Sequence, residues 1–229
     1  MPPLPSTAPE QQALFLVLNA ALPQTQCTRC GFPDCASYAR AMAEGQAAIN
    51  QCPPGGQAGI ERLAALTGQP VLALNPEHGA EGPRRVAIID EAWCIGCTLC
   101  IKACPTDAIL GANKLMHTVI EPWCTGCELC IPVCPVDCIA LENVTGEQTG
   151  WAAWSTDQAQ TARTRFEARQ LRLQREEAAH QRQQVAKAEH KLADLAAHTK
   201  GTDNAPEMDR KRAIIEAALA NAKARQAGA

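Results

Sequence analysis

Closely spaced cysteines are the residues of this chain whose types and spacing could do chemistry. All 13 cysteines of the 229 residues lie before residue 140. Two runs share the pattern C-x2-C-x2-C-x3-C-P and align without a gap at an offset of 30 residues: WCIGCTLCIKACPTDAI from Trp93 and WCTGCELCIPVCPVDCI from Trp123. Three thiolates on one loop, followed by a Cys-Pro step, suit an iron–sulfur cubane. The repeat therefore predicts a duplicated fold that binds two 4Fe-4S clusters.

The two runs are expected to exchange one ligand each. In this pattern the fourth cysteine, turned away by the proline that follows it, reaches the other cluster. The predicted ligands thus form two groups of four. The first-motif set is Cys94, Cys97, Cys100 and Cys134, and the second-motif set is Cys104, Cys124, Cys127 and Cys130. We also expect Gly96 and Gly126 to let the loop backbone approach the inorganic sulfur, and Pro105 and Pro135 to end the turn.

A third group of cysteines precedes these runs. Its members have the spacing C-x2-C-x4-C-x16-C; this N-terminal set is Cys27, Cys30, Cys35 and Cys52. Four thiolates could hold one cubane or one zinc ion, and the C-x4-C arm is unusual for zinc ribbons. Zinc fits the two repeated runs less well, because a structural zinc site uses two separate C-x2-C arms.

Composition and charge limit the class of protein. Aromatic residues make up only 3% of the chain, so metal or disulfides must help to stabilise the cysteine-rich part. The start has no secretory signal, and the longest apolar run, residues 13–22, is about half the length of a membrane-spanning helix. These features predict a cytoplasmic protein in a reducing compartment, where cysteines bind metal before they form disulfides.

The fold expected is α+β, with four regions along the chain. Residues 8–70 form a small helical four-cysteine cluster domain, in which Thr7 caps a helix that ends at Pro23, a second helix spans residues 36–49, and a third spans 57–67 and closes at Gly68. Residues 71–85 are a linker and residues 86–145 a ferredoxin-type domain with two clusters. Residues 151–229 form a basic helical extension, predicted as helices 158–198 and 207–226 separated by GTDNAP.

Charge changes sign near Gly150. Residues 1–150 carry 7 Lys and Arg against 14 Asp and Glu, whereas residues 151–229 carry 14 against 10. The hypothesis is that the basic helices fold against the acidic part or against an acidic redox partner. Its arginines are Arg163, Arg165, Arg169, Arg172, Arg175 and Arg182. Nucleic-acid binding is not expected, because acidic residues are interspersed and genuine footprints are more strongly basic.

Two motifs together resemble a known family. The first is the segment QTQCTRCGFPDCASYARAMAEG with the downstream NQCPPGGQ, and the second is the tandem repeat with its CPVDCI ending. Both resemble RnfB, also called RsxB, the B subunit of the Rnf/Rsx electron transport complex. The likeness spans roughly residues 10–145. It implies three 4Fe-4S clusters and electron transfer within a membrane complex that couples ferredoxin and NAD redox chemistry to ion movement, or that keeps a redox-sensing regulator reduced. Family members usually begin with a membrane-spanning helix and end near the second motif.

Several single residues carry weaker predictions. Cys138 is the thirteenth thiol, stands where the first run has Ala108, and is expected to be a small buried apolar residue, with ligand exchange or redox sensing as the alternative. Trp93 and Trp123 are expected to shield the clusters from water. His117 is expected to be a strand residue. The pair Trp151 and Trp154 is expected to anchor the C-terminal helices, and the run 13–22 to pack on the first cluster domain.

The function predicted is one-electron transfer without a catalytic site of its own. The sequence has no nucleotide-binding loop, no Ser/His/Asp arrangement and no flavin fingerprint. Expected partners are a ferredoxin, a flavoprotein or Rnf-type subunits. No transmembrane span is expected, and the prediction leaves peripheral contact with the cytoplasmic face of the inner membrane open. Two alternatives stay open: an iron–sulfur redox sensor or regulatory subunit, and a zinc-stabilised scaffold that presents the basic helices.

Overall fold

The computed structural model describes residues 7–193 and 205–227 and consists of helices with two small sheets. The helices are α1 (Ala8–Ala21), α2 (Cys35–Ala43), α3 (Gly56–Thr67), α4 (Leu99–Ala103), α5 (Thr156–Ala193) and α6 (Ala205–Ala227). The strands are β1 (Arg85–Ile89), β2 (Ile109–Leu110), β3 (Thr118–Val119) and β4 (Ile139–Asn143). Single 3-10 turns lie at Pro76–His78, Glu121–Trp123 and Gly150–Ala153.

The first three helices form a compact core that includes cysteines. The capping box at Thr7 and Glu10 is present, and α1 buries Phe15 and Leu18, so its predicted packing on the cysteine-rich part is confirmed. The left-handed Gly68 ends α3 as predicted. The second helix is shorter than the predicted 36–49, because the chain leaves the helix after Ala43 and turns at a left-handed Gly45.

The repeated runs share backbone geometry at several equivalent positions, although only the first run contains a helix, α4. Strand β1 pairs with β4 and β2 with β3, both antiparallel, so each sheet joins a strand that precedes one run to a strand that follows the other. Non-glycine residues with positive φ occur at equivalent places: Thr98 at 64° and Glu128 at 65°, and Asp107 and Asp137 both at 49°. The two halves are therefore related by an internal pseudo-twofold.

The segment predicted as a linker packs against its neighbours. Asn50 donates a side-chain hydrogen bond to the carbonyl of Ala73, and Gln57 donates one to the carbonyl of Leu72. The carboxylate of Glu81 accepts from the backbone N–H of Gln57 at 2.8 Å, at the first turn of α3. These contacts tie residues 69–84 to the helical region.

The C-terminal part is helical, and the predicted breaker GTDNAP lies mostly in residues 194–204, outside the described residues. By contacts the chain divides into two compact units, Met1–Arg169 and Gln170–Ala229, so the division falls within α5. In the second unit Lys223 of α6 pairs with Glu189 of α5 at 2.8 Å. In the described ranges, no helix combines the length and the apolar character needed to cross a bilayer.

Candidate metal centres

The N-terminal set surrounds one cavity. Its four thiols lie on the loop after α1, at the start of α2 and just before α3, and all four line the cavity; they are Cys27, Cys30, Cys35 and Cys52. Asp34 caps α2 by accepting from the N–H of Ser37 and so fixes the position of Cys35 at the first turn. The chain thus brings four thiols from three separate segments to one cavity.

Burial dominates the electrostatics of this set. Burial raises the pKa of Cys35 and Cys52 well above the usual thiol value, and neighbouring thiols add to the effect. Backbone N–H groups act in the opposite direction: those of Phe32 and Gly55 donate to Cys30 and Cys52 and favour the thiolate. Thiols that are costly to ionise alone, but that face N–H donors, fit a site in which metal supplies the compensating positive charge.

The second-motif set converges on another cavity, and one of its members comes from the first run. Cys104 lines this cavity together with Cys124, Cys127 and Cys130. Burial and, to a smaller extent, the nearby thiols, Cys104 included, together raise the pKa of Cys127 and of Cys130 to about 12. The N–H of Ala108 donates to the Cys104 sulfur at 3.2 Å, and the N–H of Ala87 donates to the Cys124 sulfur at 3.4 Å.

The first-motif set has an additional thiol beside it. Cys138 is buried with its Sγ 3.5 Å from Sγ of Cys134. Burial, the hydrogen bond and the charge of Cys134, and then the charge of Cys94, raise the pKa of Cys138 to about 12. Burial alone would raise the pKa of Cys134, but hydrogen bonds from the backbone of residues 136–138 and from Cys138 lower it below the usual value. The predicted burial of Cys138 is confirmed, whereas its contact with Cys134 was not predicted.

His117 is a further buried residue at the first-motif set. It lies just before β3, is only 1% exposed, and its Nδ1 lies 3.3 Å from Sγ of Cys100. Gly111 makes room for its ring, because a Cβ at Gly111 would overlap the imidazole. By the offset of 30, the equivalent of His117 is Ala87, so the two cysteine sets have different neighbours. The contact between His117 and a ligand sulfur was not predicted. Its only signal in the sequence is that the repeat has alanine, not histidine, at the equivalent position.

The glycines of the two loops pack closely on neighbouring backbone, a role that was not predicted. Gly96 and Gly126 have φ of 69° and 65°. A Cβ on Gly96 would lie 2.6 Å from backbone atoms of Leu115, and one on Gly126 would overlap the carbonyl oxygen of Arg85. They permit close packing of the loop on a neighbouring backbone segment, in addition to a left-handed turn.

The two tryptophans that precede the runs differ in their surroundings. Trp123 is half-buried, and the guanidinium of Arg165 lies 3.5 Å from the centre of its ring. The same guanidinium donates to the carbonyls of Thr106 and Asp107 at 2.7 and 3.0 Å. Trp93 is exposed, so the prediction that it shields a cluster is wrong for the chain by itself.

The arginines of α5 behave in two ways. Arg169 pairs with the carboxylate of Asp107 at 3.2 Å, and together with Arg165 it attaches the start of α5 to the turn after the first run. Arg163 and Arg172 instead pair with Glu167 and Glu176 within the helix. Trp151 packs on Gly59 under the guanidinium of Arg62, so its predicted anchoring role is supported.

The N-terminal loop covers the second run. Thr125 donates from Oγ1 to the carbonyl of Thr25 at 2.9 Å, and both residues are buried. Arg29 pairs with Glu128 at 2.7 Å. These four residues flank cysteines of the N-terminal and second-motif sets, so the two sets are neighbours in space.

Two family models match the cysteine-rich part. The "4Fe-4S dicluster domain" matches residues 87–141, and the "Putative Fe-S cluster" family matches residues 22–54. The first range contains both repeated runs and the second contains the N-terminal set. Among the residues that the structure describes, no three His, Cys, Asp or Glu side chains are grouped for a single metal ion. The donor chemistry, four thiols around each cavity with N–H groups directed at sulfur, fits iron–sulfur clusters.

Similar proteins share one description. The chain is 59% identical over 103 residues to the B subunit of the ion-translocating oxidoreductase complex of Azoarcus sp. strain BH72 and to that of Thiobacillus denitrificans. It is 58% identical over 105 residues to the corresponding protein of Alkalilimnicola ehrlichii. Over this stretch the chain is similar to the B subunits of ion-translocating oxidoreductase complexes.

The relationship is confirmed over a limited stretch. The aligned part is 45% of this chain, a smaller share than the three fifths expected from the motifs, and it covers 55–56% of the three relatives. The chain thus spans about half the length of the curated relatives that it matches. No solved structure matches it significantly.

Proposed function

We propose that the chain is an electron-transfer protein that holds three 4Fe-4S clusters, one in each cysteine set, and acts as the B-type subunit of an Rnf/Rsx-like electron transport system. The cavity shared by Cys104 with Cys124, Cys127 and Cys130 carries this proposal. Ligand exchange between the runs of a tandem repeat is expected for a two-cluster ferredoxin and not for separate zinc sites. The family matches support iron–sulfur chemistry at the same residues.

The residues of the chain would hold the clusters and adjust their properties. A bound cubane supplies reversible one-electron chemistry, while the protein supplies ligation, burial and hydrogen bonds. The N–H groups of Ala87 and Ala108 donate to ligand sulfurs, and such donors stabilise the more negative, reduced state. The apolar residues of the core keep water from the thiolates.

The proposed architecture follows the cysteine sets. Residues 8–70 would form the helical domain of the N-terminal cluster, joined by residues 71–85 to a two-cluster domain of residues 86–145. Residues 151–229 would be a helical extension whose first turns cover the second-motif set through Arg165. The partners proposed are other subunits of an Rnf-type complex, or a ferredoxin or flavoprotein that serves it, at the cytoplasmic face of the inner membrane.

Iron analysis tests the number of clusters. Anaerobically purified full-length protein should contain about twelve iron atoms per chain and little zinc. A zinc-rich, colourless protein would contradict the proposal and favour a scaffold. Rapid loss of about four iron atoms in air, with the other eight retained, would favour the redox-sensor alternative for one set.

Pairs of cysteine substitutions test which thiols belong together. Cys104→Ala should remove about four iron atoms, and adding Cys124→Ala should remove no more, because both residues serve one cluster. Adding Cys94→Ala to Cys104→Ala should instead remove about eight. The opposite result is a loss of about eight iron atoms when Cys124→Ala is added and of only about four when Cys94→Ala is added. It would mean that each run binds its own cluster with all four of its cysteines, and the proposed ligand sets would be wrong.

A further inference from the structure

The two halves of the repeat differ at one pair of residues that face each other across the sheets. In one half, Ala87 of β1 pairs with Leu141 of β4. In the other half, the register of β2 and β3, continued by one residue, places Gly111 opposite His117. The offset of 30 makes His117 the equivalent of Ala87, and Gly111 the equivalent of Leu141. The large side chain has therefore moved from one strand to the other.

This exchange keeps the space filled and changes the chemistry of what fills it. Ala87 and Leu141 both line the cavity of the second-motif set. At the equivalent place in the other half, a Cβ on Gly111 would overlap the imidazole of His117, so the glycine leaves the room that the ring occupies. An aliphatic side chain in one half is thus matched by a ring with two nitrogens in the other.

The ring of His117 is placed to bond a ligand sulfur. His117 is 1% exposed, and its Nδ1 lies 3.3 Å from Sγ of Cys100. Within the described part of the chain, its Nε2 has no hydrogen-bond partner. A cysteine that ligates metal has lost its proton, so its sulfur can only accept a hydrogen bond. The proton of the ring then belongs on Nδ1, because the other tautomer would leave a buried N–H without an acceptor.

Backbone donors are common to both halves and do not distinguish them. The N–H of Cys138 donates to the sulfur of Cys134, as the N–H of Ala108 donates to that of Cys104. These two donors are equivalent by the offset of 30. The side chain of His117 has no such counterpart, because Ala87 ends in a methyl group.

We propose that His117 raises the reduction potential of the first-motif cluster by donating a hydrogen bond from Nδ1 to the sulfur of Cys100. Reduction adds negative charge to the ligand sulfurs, so a donor directed at sulfur stabilises the reduced state more than the oxidised one. His117 acts through Cys100 and is a positioning residue rather than a ligand.

The inference rests on the proposed function and adds a physical cause for unequal clusters in a duplicated fold. When one electron enters the first-motif set, its donor is oxidised by one electron, no bond forms, and the ring proton stays on Nδ1. Two sites with the same four ligands would otherwise differ little in potential. One buried side chain gives the first of them its own value.

Three variants separate the hydrogen bond from packing. His117→Leu removes the donor and keeps most of the bulk. His117→Asn keeps a donor, because its side-chain nitrogen stands where Nδ1 stands. The double variant His117→Ala with Gly111→Leu is the packing control, since it copies the pair Ala87 and Leu141 that the chain already uses. Anaerobic full-length protein is titrated with dithionite at one fixed pH while EPR follows each cluster, and iron is measured in every sample.

One of three midpoint potentials should fall. For His117→Leu and for the double variant, the equilibrium constant for one-electron reduction should drop about tenfold, which is about 59 mV. His117→Asn should stay within about threefold of the unsubstituted protein, and iron content should be the same throughout. Unchanged midpoints in His117→Leu would overturn the inference, as would an equal shift of all three. A shift in His117→Asn as large as in His117→Leu would assign the residue to packing.

Iron content separates failure of this inference from failure of the proposed function. An unsubstituted chain with far fewer than about twelve iron atoms would contradict the proposed clusters themselves. A full complement of iron with no midpoint moved by His117→Leu would contradict only the role of His117. Loss of about four iron atoms in both leucine variants would overturn the inference in favour of a role in retaining the cluster.

Discussion

The two runs have the same cysteine pattern and the same left-handed positions, but their neighbours differ, and only the first run forms a short helix, α4. The second run is covered by the N-terminal loop at Thr125 and by Arg165 at Trp123, whereas Trp93 and Ile95 of the first run are exposed. Duplication supplies two equivalent sites, and the added segments distinguish them. An internal repeat in a sequence therefore predicts two similar sites, while their different roles depend on what packs on each.

The largest effect is expected from glycine substitutions in the loops. Gly126→Ala should lower the apparent free energy of unfolding by about 3 kcal/mol, because φ is positive and the new Cβ would overlap the carbonyl of Arg85 in β1. Gly96→Ala should cost about 2 kcal/mol, since the segment at Leu115 is exposed and can shift. Urea unfolding under nitrogen measures both.

The control for these two variants is Gly146→Ala. Gly146 has φ of 59° but nothing within 4 Å of an added Cβ, so only the backbone cost of about 1 kcal/mol should remain. Equal losses in all three variants would mean that the close packing of the loops contributes nothing.

The next effect is expected at Thr125, where the N-terminal loop packs on the second run. Thr125→Val removes the hydroxyl that donates to Thr25 and leaves a buried carbonyl without its partner, which should cost about 1–3 kcal/mol. At the equivalent position of the first run, where Ile95 is exposed, Ile95→Val should cost less than about 0.5 kcal/mol. Thermal unfolding of both variants gives the comparison, and a larger loss for Ile95→Val would contradict the packing of the N-terminal loop on the second run alone.

A smaller effect is expected where α5 begins. Arg165→Gln removes two hydrogen bonds to carbonyls and the contact with Trp123, and should cost about 1–2 kcal/mol. It should also speed the loss of iron from the second-motif set in air. Arg163→Gln is the control, because Arg163 makes an exposed pair within its own helix, worth about 0.5 kcal/mol or less. Similar iron-loss rates in both variants would argue against a covering role for Arg165.

The smallest effect is expected at the thiol that breaks the repeat. Cys138→Ala gives the second run the alanine that the first run has at Ala108, and should cost about 1 kcal/mol or less while iron content stays the same. Loss of about four iron atoms would show that Cys138, and not Cys134, is the fourth ligand of the first-motif set.

Local signals predicted much of the helical structure. The capping box at Thr7 and the left-handed Gly68 were predicted, since each depends on residues within one turn. The end of α2 was predicted too late, because Gly45 was not recognised as the stop signal and the alanines on both sides favour helix. Residues 71–85 were predicted as a linker because of their prolines and glycines. These residues gave no signal of packing contacts such as the hydrogen bond from Asn50 to the carbonyl of Ala73.

The cysteines that line the two cavities carry a sequence signal in their spacing, whereas their neighbours carry none. The spacing of the runs indicates which thiols belong together, because ligand spacing is a property of the cluster. His117 beside Cys100 and Arg165 over Trp123 depend on segments 17 and 42 residues away, which no local pattern links to them. The exposure of Trp93 could not be predicted for the same reason, because the burial of a side chain is set by tertiary packing.

The pairing of β1 with β4 affects how the chain matures during translation. About fifty residues separate the end of β1 from the start of β4, so at about 5–20 residues per second the first strand waits roughly 3–10 s for its partner. The thiols of the first run leave the ribosome during that interval, before the sheet can close around them. Those of the N-terminal set, between residues 27 and 52, can be enclosed earlier. Cofactor delivery is therefore expected to proceed in stages, with the paired sites filled last.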